Sequence, residues 1–234
     1  MSENFNIQGF NKLTLLDFPG KVACTAFTGG CDLRCPFCHN SQLVLHPAFT
    51  PIDPEEVFSL LRRRRGTLDG VAITGGEPLL QPGLEDFIRR VREIGDFGIK
   101  LDTNGTHPDR LRAIIDEGLV DYVAMDIKNS PEKYAETVGI PGFDTEPVIR
   151  SAACLLEGKV PYEFRTTAVR EFHNDDSFLG IGRMIRGADR YFIQNFVDSG
   201  ALIKDGLHGF DENEMKHFTD VIRPDVPSAA LRGI

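Results

Sequence analysis

Residues 22–40 read VACTAFTGGCDLRCPFCHN. An apolar run, Val22–Thr28, gives way to two glycines and then to a loop holding Cys31, Cys35 and Cys38. A short apolar run bounded by glycines reads as a buried strand, with the cysteine loop at its C-terminal end. The same grammar recurs at Val71–Thr74, Ile99–Thr103, Tyr122–Ile127, Tyr162–Val169 and Tyr191–Phe196. Amphipathic segments fall between these runs, near 54–65, 83–94, 108–117, 131–138, 146–157 and 176–186, and a last one spans 211–222. Strands alternating with helices of this length predict parallel pairing through right-handed crossovers. No linker, repeat or low-complexity stretch interrupts the pattern, so the expectation is one α/β domain over residues 1–234, its cysteine loop at 29–40.

Polar residues collect at one end of each unit. Thr74-Gly75-Gly76-Glu77-Pro78 follows the second strand, Asp102-Thr103-Asn104-Gly105 closes the third, and Asp126 and Lys128 close the fourth. Arg165-Thr166-Thr167 lies in the fifth and Gln194-Asn195 ends the sixth. In a (β/α) barrel the C-terminal strand ends form the active face. Turns and caps explain Gly75-Gly76 or Asn104-Gly105 singly. They do not explain why successive strands run from apolar residues to polar ones at the same end.

The whole chain narrows the class of protein. It has 234 residues, 41% of them hydrophobic and 26% charged, as an ordinary globular protein does. A net charge of −9 gives no reason to expect nucleic acid or an anionic membrane as partner. The run Arg62–Arg65 ends a helical stretch, where cations suit the dipole, and reads as a solvated helix end rather than a docking patch. No apolar run approaches the ~20 residues of a membrane span. The start, MSENFNIQGFNK, lacks a secretory pattern. The expected setting is the reducing cytoplasm, where clustered thiols are metal ligands or redox catalysts rather than disulfides. Cys24 and Cys154 stand apart from the loop and read as small buried hydrophobes.

Three chemistries compete for the loop. A structural zinc site wants four ligands, and His39, directly after Cys38, is awkwardly spaced to be the fourth. A redox pair could use Cys35 and Cys38 but leaves Cys31 unexplained. Three thiolates on one loop suit a [4Fe–4S] cluster with one iron left open. An open iron is a coordination site, so the missing fourth cysteine becomes the functional feature.

Cys-x3-Cys-x2-Cys, with Phe37 before the last cysteine, resembles the signature of the radical S-adenosylmethionine enzymes. The segments LTLLDFPGKVACTAFTGGCDLRCPFCHN, VAITGGEPLLQ, KLDTNG, VDYVAMDIK and YEFRTT extend the likeness over essentially the whole chain. They resemble the anaerobic ribonucleoside-triphosphate reductase activating proteins and, more broadly, the glycyl-radical-enzyme activases. The resemblance implies that S-adenosylmethionine chelates the open iron through its amino and carboxylate groups. One electron then cleaves the sulfonium C–S bond, giving methionine and a 5′-deoxyadenosyl radical that abstracts hydrogen from a glycine of a partner enzyme. The cofactors carry the hard step.

Carried over residue by residue, the resemblance makes Cys31, Cys35 and Cys38 the cluster ligands. Phe37 takes the aromatic position near adenine, and the backbone around His39 and Asn40 borders the nucleoside. Gly75, Gly76 and Glu77 receive the methionine amino group: glycines allow close main-chain approach and a carboxylate suits an ammonium. Lys128 faces the methionine carboxylate. Asp102, Thr103 and Asp126, with Asn104 beside them, fall where related activases place ribose contacts and a monovalent cation. The structural alternative for Asp126 and Lys128 is a salt bridge, since side chains two apart on a strand share a face. Asp17 and Arg165 match positions that hold the partner's glycine loop, although Asp17 before Phe18-Pro19-Gly20 also reads as a turn residue. Gln194 stands near where a lyase activase would place a ribose-contacting histidine, which leans the likeness toward the reductase-activating subgroup.

The segment from Thr50 to Gly66 has no spare cysteines, so one cluster is expected. The length supports a six-stranded partial β/α barrel of parallel strands, open along one side for a macromolecular substrate. The implied partners are a glycyl-radical enzyme, foremost the anaerobic ribonucleotide reductase, and a flavodoxin or ferredoxin as electron donor; nothing demands more than a monomer. Two rivals stay open. One is a radical enzyme acting on a small molecule, and the other is a non-catalytic metal-binding module.

Overall fold

The strand that opens the motif is laid down first. In the computed structural model, which describes residues 5–46 and 51–233, the Val22–Thr28 run forms β2 (Ala23–Thr28), buried at every residue except Phe27. β2 lies antiparallel to β1 (Ile7–Thr14) and parallel to β3 (Gly70–Gly75), and β3 is parallel in turn to β4 (Gly98–Thr103). Further on come β5 (Tyr122–Asp126), β6 (Tyr162–Ala168), β7 (Tyr191–Asn195) and β8 (Ala229–Arg232). Among the described residues the eight strands follow chain order in one sheet, β1 to β8, with β2, β3 and β4 parallel in the first unit and β6 and β7 parallel in the second.

The sheet corrects the expected strand count from six to eight. β6 pairs β7 and β7 pairs β8, both in parallel, so β8 extends the series by one. β1 has little apolar periodicity because most of its residues are only partly covered, and β8 spans four residues. Neither presents the period-two signal by which a strand is recognised. Residues 1–4, at the head of the stretch read as lacking a secretory pattern, and Thr50, at the head of the 50–66 segment, lie outside the described residues.

The chain divides into two compact units. The first comprises the described residues of Met1–Asp32, Gln42–Thr103 and Asp109–Val123. Most of the short helix α1 (Ser41–Leu45) belongs to it, as do α2 (Pro54–Arg63), α3 (Leu84–Ile94) and nearly all of α4 (Pro108–Asp116). Asp53 caps α2, Glu55 and Glu56 sit in its first turn, and Arg62 and Arg63 in its last, which is the charge order the dipole favours. Arg62 ion-pairs with Glu55, so the basic run is a helix end as read. α3 buries Leu84, Phe87, Ile88, Val91 and Ile94, an i, i+3, i+4, i+7 stripe.

The second unit comprises Leu33–Ser41, Asn104–Pro108 and the described part of Ala124–Ile234. It carries α5 (Tyr134–Thr137), α6 (Glu146–Leu156), α7 (Asp175–Met184) and α8 (Glu212–Ile222). α7 and α8 begin with reciprocal capping boxes, Asn174 with Ser177 and Asp211 with Glu214. Arg232 of β8 reaches across to Glu163 of β6 with two hydrogen bonds, 2.7 and 2.8 Å, and lies 3.6 Å over the Phe192 ring of β7.

Candidate active site

The first unit holds the entry to the cysteine loop. Where β2 ends, the loop turns against the end of β3: Gly76 N–H donates to Thr28 O at 2.9 Å and Glu77 N–H to Gly30 O at 2.8 Å. A Cβ on Gly76 would lie 1.8 Å from Gly30 O, and Gly75 has φ +116° with no room beside Thr28 N. The two glycines are therefore demanded by backbone packing before any ligand is considered. Glu77 is fully buried, and its carboxylate accepts from Leu79 N at 3.0 Å and from the Thr103 hydroxyl at 2.8 Å. Asp102 receives the ammonium of buried Lys100. The Asp17 carboxylate accepts from the Thr25 hydroxyl at 2.5 Å, and Thr14 Oγ1 accepts the N–H of Leu16 and Asp17, which makes this segment a pinned bend.

The second unit holds the rest of the loop. Cys38 N–H closes a turn onto Cys35 O at 3.0 Å, and Arg34 N–H donates to Val138 O at 2.9 Å. Phe37 is buried with its ring 5.9 Å from that of Phe172. His39 stacks on Phe196 and donates from Nε2 to Val197 O at 3.0 Å, while Lys204 N–H reaches Pro36 O at 3.0 Å. Asn40 N–H hydrogen-bonds the Cys38 thiol. Asn104 Oδ1 takes the N–H and hydroxyl of Thr106, so its side chain shapes the turn after β4. Gln194 is half-buried and pairs across the ladders with Thr167 and Arg232.

Asp126 is the electrostatic centre of this unit. Lys128 Nζ lies 2.9 Å from one carboxylate oxygen and Arg165 Nε 2.9 Å from the other. Burial by itself would raise the Asp126 carboxyl; Arg165 and Lys128 outweigh it and hold the group well below the usual carboxylate range. Burial would likewise lower Lys128, but Asp126 keeps its ammonium charged. The salt bridge expected as the alternative is thus present, and Arg165 belongs to it as well. Lys128's own peptide is clamped: Tyr134 Oη accepts its N–H at 3.2 Å and His173 Nε2 donates to its carbonyl at 2.9 Å. Nothing in the sequence patterns singled out Tyr134 or His173.

The donor set fits an iron–sulfur cluster. Cys31, Cys35 and Cys38 form no disulfide. Burial pushes Cys35 up to about 11 and raises Cys38, so each needs a strong positive charge beside it to become a thiolate. A cubane takes each thiolate on a separate iron. Cys24 and Cys154 are buried and form no disulfide, and burial pushes Cys24 up to about 12.

Residues 25–184 match the family described as the radical SAM superfamily. The chain belongs to the radical SAM superfamily. That family uses a [4Fe–4S] cluster and S-adenosylmethionine, the pair that the loop chemistry calls for. This radical SAM enzyme is 29% identical over 233 residues to a Methanocaldococcus jannaschii protein named "Putative glycyl-radical enzyme activating enzyme", a match covering 97% of this chain and 96% of that one. It is 30% identical over 202 residues to the GTP 3′,8-cyclase of Aquifex aeolicus, covering 81% of this chain but 61% of the cyclase. Among solved structures it resembles Streptococcus suis SuiB bound to S-adenosylmethionine, at a TM-score of 0.68 and 14% identity, over 87% of this chain and 48% of that one. The last likeness is one of fold. Among the described residues no helix is long and apolar enough to cross a membrane.

Proposed function

We propose that this radical SAM enzyme installs a glycyl radical on a partner protein, and that the partner is an anaerobic ribonucleoside-triphosphate reductase. The observation that carries the reading is the end-to-end match to the M. jannaschii relative, 97% of one chain and 96% of the other. When bound, the cluster and S-adenosylmethionine supply a one-electron route to a carbon radical able to take hydrogen from a glycine Cα. Cys31, Cys35 and Cys38 hold the cluster. Lys128 has three ammonium protons and Asp126 takes one direction of them, which leaves donors for the methionine carboxylate. The Gly75–Glu77 segment serves the methionine amino group. Asp102, Thr103, Asn104, Gln194 and the Phe37–Asn40 stretch border the nucleoside, and a monovalent cation would share Asp126 with Lys128 and Arg165. Arg165 and Asp17 hold the partner's glycine loop. A flavodoxin or ferredoxin delivers the electron to a cytoplasmic monomer.

The test is electron paramagnetic resonance on anaerobically reconstituted enzyme mixed with the reductase, S-adenosylmethionine and a reductant. A glycyl signal that requires both proteins is expected. Arg165→Ala should lower radical yield by one buried charge-assisted contact, on the order of 2–5 kcal/mol, and leave uncoupled S-adenosylmethionine cleavage largely unchanged. Lys128→Ala should depress cleavage and yield together. Proportional loss in both variants would make Arg165 a cofactor ligand instead. The 30% identity to a GTP 3′,8-cyclase favours a second reading, a small-molecule substrate. No radical on the reductase, with S-adenosylmethionine cleavage stimulated by a nucleotide, would establish it. A cluster that never cleaves S-adenosylmethionine would leave the binding module.

A further inference from the structure

Three consecutive carbonyls at the end of β2 are capped from the segment that follows β3. Thr28 O and Gly30 O take main-chain N–H groups from Gly76 and Glu77. The middle one, Gly29 O, takes the side-chain amide of Gln81 at 2.6 Å. Gln81 is 5% exposed, and its N–H closes the 3-10 turn Pro78–Leu80 onto Pro78 O at 3.0 Å. That turn is anchored in its own right. Arg110 of α4 donates to Leu79 O at 2.6 Å and Gln81 O at 2.8 Å, and its remaining donors pair with Glu85 of α3 at 2.8 and 2.6 Å. Arg110 holds the Glu85 carboxyl below its usual range, so the pair stays ionised. A bidentate guanidinium that also caps two carbonyls leaves the turn little freedom.

We infer that Gln81 is a positioning residue for the cluster: its amide fixes the peptide from which the chain departs toward Cys31. This rests on the assignment of Cys31 as a ligand. Main-chain bonds hold Thr28 O and Gly30 O, and the Gly29–Gly30 peptide places its N–H on Leu43 O at 2.8 Å, while its carbonyl is held by the Gln81 side chain. Without that donor, Gly29 O is left buried without its side-chain partner, and the peptide is held through its N–H alone. Gly30, with φ +84° and open space where a Cβ would stand, adds no side-chain packing to hold that peptide. The relay Glu85–Arg110–Gln81–Gly29 then connects two helices to the first thiolate, as outer-shell hydrogen bonds orient ligands in other metal sites.

The test uses the full chain with its cluster reconstituted anaerobically. Gln81→Met keeps length and packing and removes the donor. Iron release to a chelator should quicken about tenfold, as for loss of an outer-shell partner, and the reduced cluster's paramagnetic resonance spectrum should shift. Gln81→Glu, which keeps a polar side chain, should show the same changes and decides the matter if the methionine variant does not fold. Ile88→Val, a buried change in α3 outside the relay, lowers stability and should leave release rate and spectrum alone. Wild-type release and an unchanged spectrum in both Gln81 variants would overturn the inference while Cys31→Ala still loses its iron. Iron retained by Cys31→Ala would instead remove the ligand assignment itself.

Discussion

Asp126 shows how much one carboxylate can organise. It binds an ammonium and a guanidinium, one on each oxygen, and it was expected to meet a cation. The sequence spacing 126/128 made the Lys128 pairing readable, because alternate strand residues share a face. Arg165 comes from another strand 39 positions later, and no local pattern announces that contact. Asp126→Asn should therefore weaken both Lys128 and Arg165 functions at once, lowering S-adenosylmethionine binding and glycyl-radical yield in one variant where Arg165→Ala lowers only the second. Binding titration beside radical quantitation checks it. The cysteines make a cleaner contrast. Cys31→Ala, Cys35→Ala or Cys38→Ala should each lose most of the bound iron, while Cys24→Ala and Cys154→Ala should keep it and lose on the order of 1 kcal/mol of stability as small cavities open. Bleaching by Cys24→Ala with iron retained in Cys31→Ala would reverse the ligand assignment.

At the scale of elements, the loop between β5 and β6 is held by groups that look ordinary in the sequence. His173 accepts from Val169 N and donates to Lys128 O, and burial lowers it to about 4, with Lys133 also disfavouring its charge. Its folded value lies below the unfolded value near 6.5, so the unfolded chain binds the extra proton between those two pH values. Stability must then fall as pH drops through that window, by about 3 kcal/mol from this group when the shift is fully expressed. Urea midpoints from pH 7 down to pH 4 should show this loss, and His173→Gln should remove that part of the slope while the carboxylate contribution stays. The helices themselves were legible: amphipathic stripes placed α2, α3, α7 and α8 within a residue or two. What sequence could not supply is which residue clamps which peptide, since a single Gln, His or Tyr in a loop or a one-turn helix carries no periodic signal. Gln81 stood at the end of a quoted motif with no role attached, and only the Gly29 contact gives it one.

For the molecule as a whole, the six parallel strands were readable because buried parallel strands appear as short apolar runs. The two end strands were not, because an edge strand packs on fewer sides and shows less of its interior in its composition. β8 nonetheless contributes a buried anchor. Glu163 is 1% exposed and takes two hydrogen bonds from Arg232, so Arg232→Ala removes a charge-assisted pair from a buried carboxylate and should cost on the order of 3 kcal/mol. Pairing Arg232→Met with Glu163→Leu should recover most of that loss in chemical denaturation. Equal instability in the single and double variants would show that packing over Phe192, rather than charge, is what β8 supplies. The order of the sheet has one more consequence. Every strand lies beside the one that precedes it in the chain, β1 through β8. A nascent polypeptide leaving the ribosome therefore finds each new strand's template already synthesised, and never has to hold an apolar strand waiting for a distant mate. Vectorial growth of this kind keeps loop closures short and limits the time that sticky edges face other nascent chains.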